Sequence, residues 1–284
     1  MIEEILILLA LLLGTIADMK TREVPDTLSF GLVGIGFLIA TISSLFYTSF
    51  SPLINTAAGF VAGIILGLLF YFTGMWGGGD AKIIMGIGAV MGLGVFSIGT
   101  TLPLFLIFVV NTFIVGAIYG ACWMTMLGVK HFSAFKKEFS SVMKDEKIKR
   151  TRLLLFIFLG IIIIISLVAP IYTGFKIATV IVSIVFVLFF YLSLVIKSIE
   201  RSVLFADIPV NKLTEGDWII DKIKLKNGEL YKPSKTGISL EDIALLKKNN
   251  VKFARVKEGI PFLPSFLIAY IVTLIFQNWI VLLL

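Results

Sequence analysis

The chain of 284 residues is 58% hydrophobic, and only 15% of its residues are charged. Soluble domains are about half apolar and about a quarter charged, so this composition excludes an ordinary soluble protein. The formal net charge of +7 does not require a nucleic acid partner. Basic residues collect on the cytoplasmic side of membrane proteins, where they contact anionic lipids.

The apolar stretches predict an all-α polytopic membrane protein, because each is long enough to cross a bilayer. About eight transmembrane helices are expected, at residues 2–17, 27–47, 52–74, 81–98, 101–127, 153–172, 176–196 and 262–284. The first stretch has an acidic start and no clear cleavage site after it. We therefore interpret it as a retained helix rather than a signal peptide.

The basic residues predict the orientation of these helices. All but one of the 25 lysines and arginines lie between spans on one side of the membrane, and the exception is Lys176. The segments that hold them are 18–26, 75–82, 128–152 and 197–261. Since positive residues mark the cytoplasmic side, the N-terminus is expected outside the cell membrane and these segments inside.

The longest polar segment is predicted to form a small cytoplasmic α+β domain. Asn227-Gly228 indicates a hairpin, Ser239 and Asp242 form a capping box before a short helix, and VKFARV alternates like a strand. The predicted organisation is a transmembrane core (1–127), a basic cytoplasmic loop (128–152), an additional helix pair (153–197), the small domain (198–260) and a final helix (261–284).

Two aspartates stand at the predicted cytoplasmic ends of helices. Asp18 follows the first helix in DMKTREVPD, and Asp80 precedes the fourth in GGGDAK. A carboxylate at that depth is costly and suggests function. Two carboxyl groups that face each other cannot easily both ionise. Such a pair supplies one acid and one base, which together can activate a water and protonate a leaving amine.

The glycines before Asp80 fit the same chemistry. Gly77, Gly78 and Gly79 leave no side chains beside the carboxylate, so an extended peptide could approach the main chain there. Structural interpretations remain open, since Asp80 is also a good N-cap and Asp18 could mark a membrane boundary. The spacing of these residues alone does not decide between them.

The sequence lacks the residues that other common catalytic mechanisms require. GGGDAK has no Lys-Ser/Thr after its glycines, as a phosphate-binding loop requires, and HExxH does not occur. The single histidine cannot build a usual zinc site, and the single cysteine, Cys122, cannot form an internal disulfide. If the chain is a hydrolase, aspartates must carry the reaction, and we expect no cofactor or metal.

Both motifs resemble those of the type IV prepilin peptidases, GxGD-type intramembrane aspartic proteases. DMKTREVPD has an aspartate, several residues and then an aliphatic residue before Pro25 and Asp26, and GGGDAK matches Gly-x-Gly-Asp-x-Lys up to Lys82. The archaeal branch, which includes preflagellin peptidases, is most similar, also at EGIPFLPSFL (258–267). The resemblance implies cleavage of a short basic leader at the cytoplasmic face, with Asp18 and Asp80 as the catalytic pair.

Several alternatives stay open at this stage. Residues 128–197 make this chain longer than the compact preflagellin peptidases. The additional length favours pilin-like over archaellin precursors as substrates. Lys82 either influences the ionisation of the aspartates, binds substrate or extends to the lipid interface. Asp26 either attracts a basic leader or caps the second helix. A small transporter that uses both aspartates as a proton or cation site is the main rival, and a scaffold that docks through 198–260 is another. The oligomeric state is left open.

Overall fold

The structure is a computed structural model that describes residues 2–95, 102–226, 228–234 and 237–276. The chain divides into two compact units. The first joins Met1–Cys122 to Asp207–Leu284, and the second is Trp123–Ala206. Most of the polar segment predicted at 198–260 therefore belongs to the same unit as the first helices.

Apolar helices form most of the first unit. They are α1 (Ile2–Thr21), α2 (Asp26–Phe46), α3 (Ser51–Phe72), α4 (Gly78–Met91), α5 (Leu104–Lys130) and α10 (Leu263–Phe276), of which α5 continues into the second unit. α2 follows Pro25, whose φ is −58°, and α3 has a proline in its first turn. Proline is tolerated at helix starts because the first N–H groups have no partner within the helix.

Five described helices are long and apolar enough to cross a membrane, namely α2, α3, α5, α7 and α8. Five of the predicted spans thus coincide with helices that could cross a membrane; the count of about eight is not confirmed, and spanning stays a prediction for α1, α4 and α10. α1 has acidic residues near both ends, and α4 is only 14 residues long. α4 ends at Met91, before the predicted limit, because Gly92 takes a positive φ of 66°.

Glycines allow α3 and α4 to pack main chain against main chain. Gly59, Gly63 and Gly67 repeat every four residues on one face of α3. A Cβ on Gly59 would lie 2.1 Å from the carbonyl oxygen of Gly88, and one on Gly63 would lie 2.8 Å from main-chain atoms of α4. Small residues permit this close approach between membrane helices. The position of α4, which carries Asp80, is therefore set by main-chain contacts.

A polar contact crosses the apolar core of the first unit. The largest fully buried side chains of that core are aromatic and lie on α5 and α10: Phe105, Phe108, Phe266 and Tyr270. Among them, Nδ2 of Asn111 donates a hydrogen bond to Oγ1 of Thr273 at 2.9 Å. The sequence favours this type of contact for an asparagine inside an apolar helix, and the structure confirms it.

The second unit contains one amphipathic and two long apolar helices. These are α6 (Phe132–Lys144), α7 (Glu146–Val168) and α8 (Thr173–Ile199), and a π-helical turn follows at Glu200–Leu204. α7 and α8 correspond to the helix pair predicted at 153–172 and 176–196. Between them, Oγ of Ser166 donates to Oγ1 of Thr179 at 3.3 Å.

The basic segment predicted as a loop at 128–152 is mostly helical. Phe132, Phe135 and Phe139 repeat every three or four residues on α6, and their rings contact one another in sequence. This spacing is typical of an amphipathic helix. The high density of lysines around these aromatic residues obscured it in the sequence.

Short strands and one helix form the polar part of the first unit. A three-stranded sheet has the order β1 (Phe205–Pro209), β5 (Phe253–Lys257) and β2 (Trp218–Ile219). β3 (Ile223–Lys224) pairs antiparallel with β4 (Leu230–Tyr231), and α9 is Leu240–Lys248. β5 confirms the strand predicted from VKFARV, and the β3–β4 pair confirms the hairpin, although Asn227 in its turn lies outside the described residues.

The short helix α9 begins at the predicted capping box. Oγ of Ser239 accepts a hydrogen bond from the Asp242 N–H at 3.1 Å, and Oδ2 of Asp242 accepts one from the Ser239 N–H at 3.3 Å. α9 ends as expected at two asparagines, since Asn250 adopts a left-handed φ of 53°.

Candidate active site

Asp18 lies in the last turn of α1 and is buried, with 6% of its surface exposed. Its Oδ2 accepts a hydrogen bond from the Leu263 N–H at 2.9 Å. The Phe262 N–H also donates to this carboxylate. Leu263 is the first residue of α10, and the N-terminus of a helix is a natural binding site for an anion. The last turn of α1 therefore supplies the carboxylate that binds the N-terminus of α10.

Asp80 occupies the third position of α4 rather than the position before it. Gly77 is the N-cap, with extended backbone angles, and its N–H donates to Oδ2 of Asp80 at 3.1 Å. The structural alternative that Asp80 itself is the N-cap is therefore wrong. The helix starts earlier because a carboxylate three residues inside a helix satisfies the N–H of the cap. Gly78 and Gly79 consequently belong to the first helical turn.

The structure brings the two aspartates together. The negative charge of Asp18 acts on the Asp80 carboxyl group, so the two side chains lie within electrostatic range of each other. Neither carboxyl group is saturated by the hydrogen bonds described for it, because each carboxylate offers about four acceptor positions. The arrangement therefore has the components of an acid and base pair.

The two motifs also pack directly on each other. A Cβ on Gly79 would lie 2.8 Å from Cγ2 and 2.9 Å from Cβ of Val24, whereas one on Gly78 would meet only Tyr71, at 3.9 Å. The prediction that all three glycines leave the main chain open therefore needs correction. Val24 covers Gly79, and the Asp80 carboxylate lies 3.5 Å from a Cβ on Gly77. Only Gly78 keeps open space beside it.

We expect Gly79→Ala to lower the free energy of unfolding by about 1–3 kcal/mol, because the added methyl group overpacks against Val24. Gly78→Ala is the matched control and should change it by less than about 1 kcal/mol, since its methyl group has room. Thermal unfolding in detergent measures both. Combining Gly79→Ala with Val24→Ala should destabilise the protein less than the sum of the two single changes. Additive effects would show that this contact does not govern the packing.

Lys82 and Asp26 connect the two motifs through an ion pair. Nζ of Lys82 lies 2.6 Å from Oδ1 of Asp26 and 6.0 Å from the centre of the Phe30 ring. Asp26 is the first residue of α2, and Pro25 is the N-cap, so the expectation that Asp26 caps this helix is wrong. The side chains of Lys82 and Asp26 are 39% and 59% exposed. Such an exposed pair contributes at most about 1 kcal/mol.

An aromatic cluster packs around Trp76, next to the glycine segment. Trp76, which directly precedes Gly77, is only 2% exposed. Its indole ring lies 4.7 Å from the Phe70 ring, 5.2 Å from Phe266 and 6.0 Å from Phe113, measured between centroids. Aromatic pairs at these distances stabilise beyond their buried area. The start of α4 is thereby anchored to α3, α5 and α10.

The sequence did not single out several residues at this site. The guanidinium of Arg22 donates a hydrogen bond to the Gly259 carbonyl group, and its charge acts on Asp18. Tyr119 of α5 lies within range of the charges of both Asp18 and Arg22. Main-chain donors such as the Leu263 N–H have no sequence signature. The two prolines that flank Phe262 and Leu263 were the one available sign of a helix start.

Among the described residues, 2–95, 102–226, 228–234 and 237–276, no three histidine, cysteine, aspartate or glutamate side chains lie close enough to hold a metal ion. The chemistry that these residues offer at the site is that of the carboxyl pair.

The match to a known family covers the part of the chain that contains both aspartates. Residues 5–121 match the sequence model of the type IV leader peptidase family. A preflagellin peptidase of Methanococcus voltae is 33% identical over 150 residues, which are 52% of this chain and 63% of the relative. A preflagellin peptidase of Methanococcus maripaludis is 38% identical over 91 residues, which are 32% of this chain and 39% of the relative. The chain therefore spans less than two thirds of each of these relatives.

Proposed function

We propose that the chain belongs to the type IV leader peptidase family, whose sequence model matches residues 5–121, and that it is a multi-pass membrane endopeptidase. Its substrates are preflagellin-like or type IV pilin-like precursors, from which it removes the leader peptide. The observation that carries this proposal is the packing of the two aspartate motifs on each other at Gly79 and Val24, with the charge of Asp18 acting on the Asp80 carboxyl group. Both residues lie inside the matched segment, and each is held by main-chain N–H groups.

The proposed reaction uses the two carboxyl groups as an acid and a base. One carboxylate removes a proton from a water molecule as the water oxygen attacks the carbonyl carbon of the scissile peptide bond. The other carboxyl group donates its proton to the departing nitrogen as the carbon–nitrogen bond breaks. Because the two groups interact, they titrate as a pair rather than individually. This chemistry requires neither a metal ion nor a nucleotide.

The proposed location of cleavage is the cytoplasmic face of the cell membrane. Asp18 lies at the end of α1 and Asp80 at the start of α4, and basic residues are concentrated in the segments on this side of the membrane. A leader peptide would reach the site from the cytoplasm while the apolar helix of the precursor stays in the lipid. Gly78, which keeps open space beside the main chain, provides a place where an extended peptide can lie.

The names of the relatives favour a preflagellin-like precursor. This preference differs from the sequence-based expectation of a pilin-like substrate, which relied on the additional helices α7 and α8. Those helices lie outside the segment matched by the family. The proposal therefore includes both precursor types and ranks the preflagellin-like type first.

A cleavage assay with membranes tests the proposal. A tagged archaellin precursor and a tagged pilin precursor, each with a Lys/Arg-Gly leader junction, are incubated with the wild-type protein and analysed by gel mobility. We expect the archaellin precursor to lose its leader and the pilin precursor to be cut more slowly. If correctly inserted wild-type protein leaves both precursors intact, the proposal fails and a proton or cation site at the two aspartates becomes the better explanation.

A further inference from the structure

We propose that Arg22 is a positioning residue of the active site: its guanidinium holds the segment 259–263, and the main chain of that segment holds the carboxylate of Asp18. The inference rests on the proposed function, since it assigns Arg22 a part in the same reaction. It differs from the simpler role of Arg22 as a positive charge that orients the helix in the membrane.

The backbone of Arg22 is the first observation. Arg22 directly follows α1 and adopts a left-handed φ of 60°, and its N–H donates to the Asp18 carbonyl group at 2.9 Å. This is the left-handed end of a helix, where glycine is the usual residue. An arginine at a backbone position that favours glycine suggests that its side chain has a role of its own.

The side chain of Arg22 is the second observation. Its guanidinium donates a hydrogen bond to the Gly259 carbonyl group, four residues before Leu263. The Leu263 N–H in turn donates to Oδ2 of Asp18 at 2.9 Å. Arg22 therefore contacts the segment 259–263, and the same segment contacts Asp18. These contacts join parts of the chain that are far apart, since Asp18 and Leu263 are separated by 245 residues.

A third contact joins the same segment to α5. The ring of Phe262 packs against α5 so closely that a Cβ on Gly116 would lie 2.6 Å from its Cζ. The Phe262 N–H also donates to Asp18. The segment 259–263 thus contacts Asp18 at the end of α1, Arg22 directly after α1, and α5.

Loss of the hydrogen bond from Arg22 should loosen the Asp18 carboxylate without removing it. Catalysis is sensitive to such displacement, because a shift of about 1 Å in a reacting group can lower the rate about 100-fold. Substrate binding does not depend on the orientation of this carboxylate to the same extent. A positioning role therefore predicts a lower kcat with little change in KM.

The test compares Arg22→Gly with Arg22→Lys and with Lys20→Gln. Glycine suits the left-handed backbone, so Arg22→Gly should keep or raise the Tm while kcat falls about 10- to 100-fold and KM stays within about twofold. Arg22→Lys, which retains a donor and a charge, should recover part of the loss. Lys20→Gln removes a positive charge from the exposed end of the same helix and should cleave like the wild type.

Hydrogen–deuterium exchange supplies a readout that does not depend on cleavage. In Arg22→Gly, exchange in the peptide that contains residues 259–266 should be faster than in the wild type and in Lys20→Gln. A wild-type kcat, or unchanged exchange in this peptide, would refute the role of Arg22. If the wild-type protein cleaves no precursor, the proposed function fails, and the exchange experiment still decides whether Arg22 holds the segment. Should Arg22→Gly fail to insert, Arg22→Gln provides the same comparison.

Discussion

Asp18→Asn and Asp80→Asn are each expected to lower the rate of precursor cleavage at least about 1,000-fold, because each removes one member of the proposed acid and base pair. Asparagine has nearly the same shape as aspartate but has no ionisable carboxyl group, so it cannot serve as the acid or the base. The double variant should be no worse than either single variant, since groups that act as a unit are strongly non-additive. Gel mobility of a tagged precursor measures all three variants.

The control for these variants is Asp221→Asn, which makes the same chemical change at an exposed aspartate of the polar region. It should cleave at the wild-type rate. Each variant must also be present in the membrane fraction with the wild-type pattern of protease protection, so that lost activity is not lost insertion. Full activity of either Asp18→Asn or Asp80→Asn would exclude the two-carboxylate mechanism.

Gly59→Ala is expected to lower the free energy of unfolding in detergent by about 3 kcal/mol or more, at the upper end of overpacking effects. The added Cβ would lie 2.1 Å from the Gly88 carbonyl oxygen and 2.7 Å from main-chain atoms of Gly92. Main-chain atoms cannot rotate aside as a side chain does, so α3 and α4 must separate. Because α4 carries Asp80, we also expect cleavage activity to fall.

Gly34→Ala on α2 is the matched control, because nothing lies within 4 Å of a Cβ at this position. Its effect should stay within about 1 kcal/mol and can be stabilising, since alanine favours a helix over glycine. Denaturant titration of both variants in the same detergent compares them. Equal losses at Gly59 and Gly34 would show that glycine content, rather than the contact between α3 and α4, determines stability.

The sequence predicted the parts of the fold that depend on local composition. Long apolar stretches identified α2, α3, α5, α7 and α8, and local capping signals at Ser239 and Asp242 identified the start of α9. The limits of α4 were predicted less well. Its start depends on a hydrogen bond between the Asp80 side chain and Gly77, and its end on the positive φ of Gly92. Neither is visible in hydropathy.

The sequence also indicated which residues form the candidate site, but not how they are held. Asp18 and Asp80 stand out because charged residues are rare in apolar segments. Their partners are main-chain groups and residues far along the chain, such as Leu263 for Asp18 and Asp26 for Lys82. A main-chain donor has the same chemistry in every residue except proline. The prolines on either side of Phe262 and Leu263 indicated a helix start, but no side chain indicated that the Leu263 N–H binds Asp18.

The pairing of α1 with α10 has a consequence for biosynthesis. Besides the contact between Asp18 and Leu263, the hydroxyl group of Tyr270 donates to the Glu4 carbonyl group at 3.3 Å, so the two helices lie antiparallel along much of α1. A nascent chain in which residue 263 has not yet left the ribosome contains both aspartates but lacks the donor that orients the first. Under the proposed function, a chain that lacks α10 is therefore expected to hold Asp18 less firmly and to cleave precursors more slowly than the full chain.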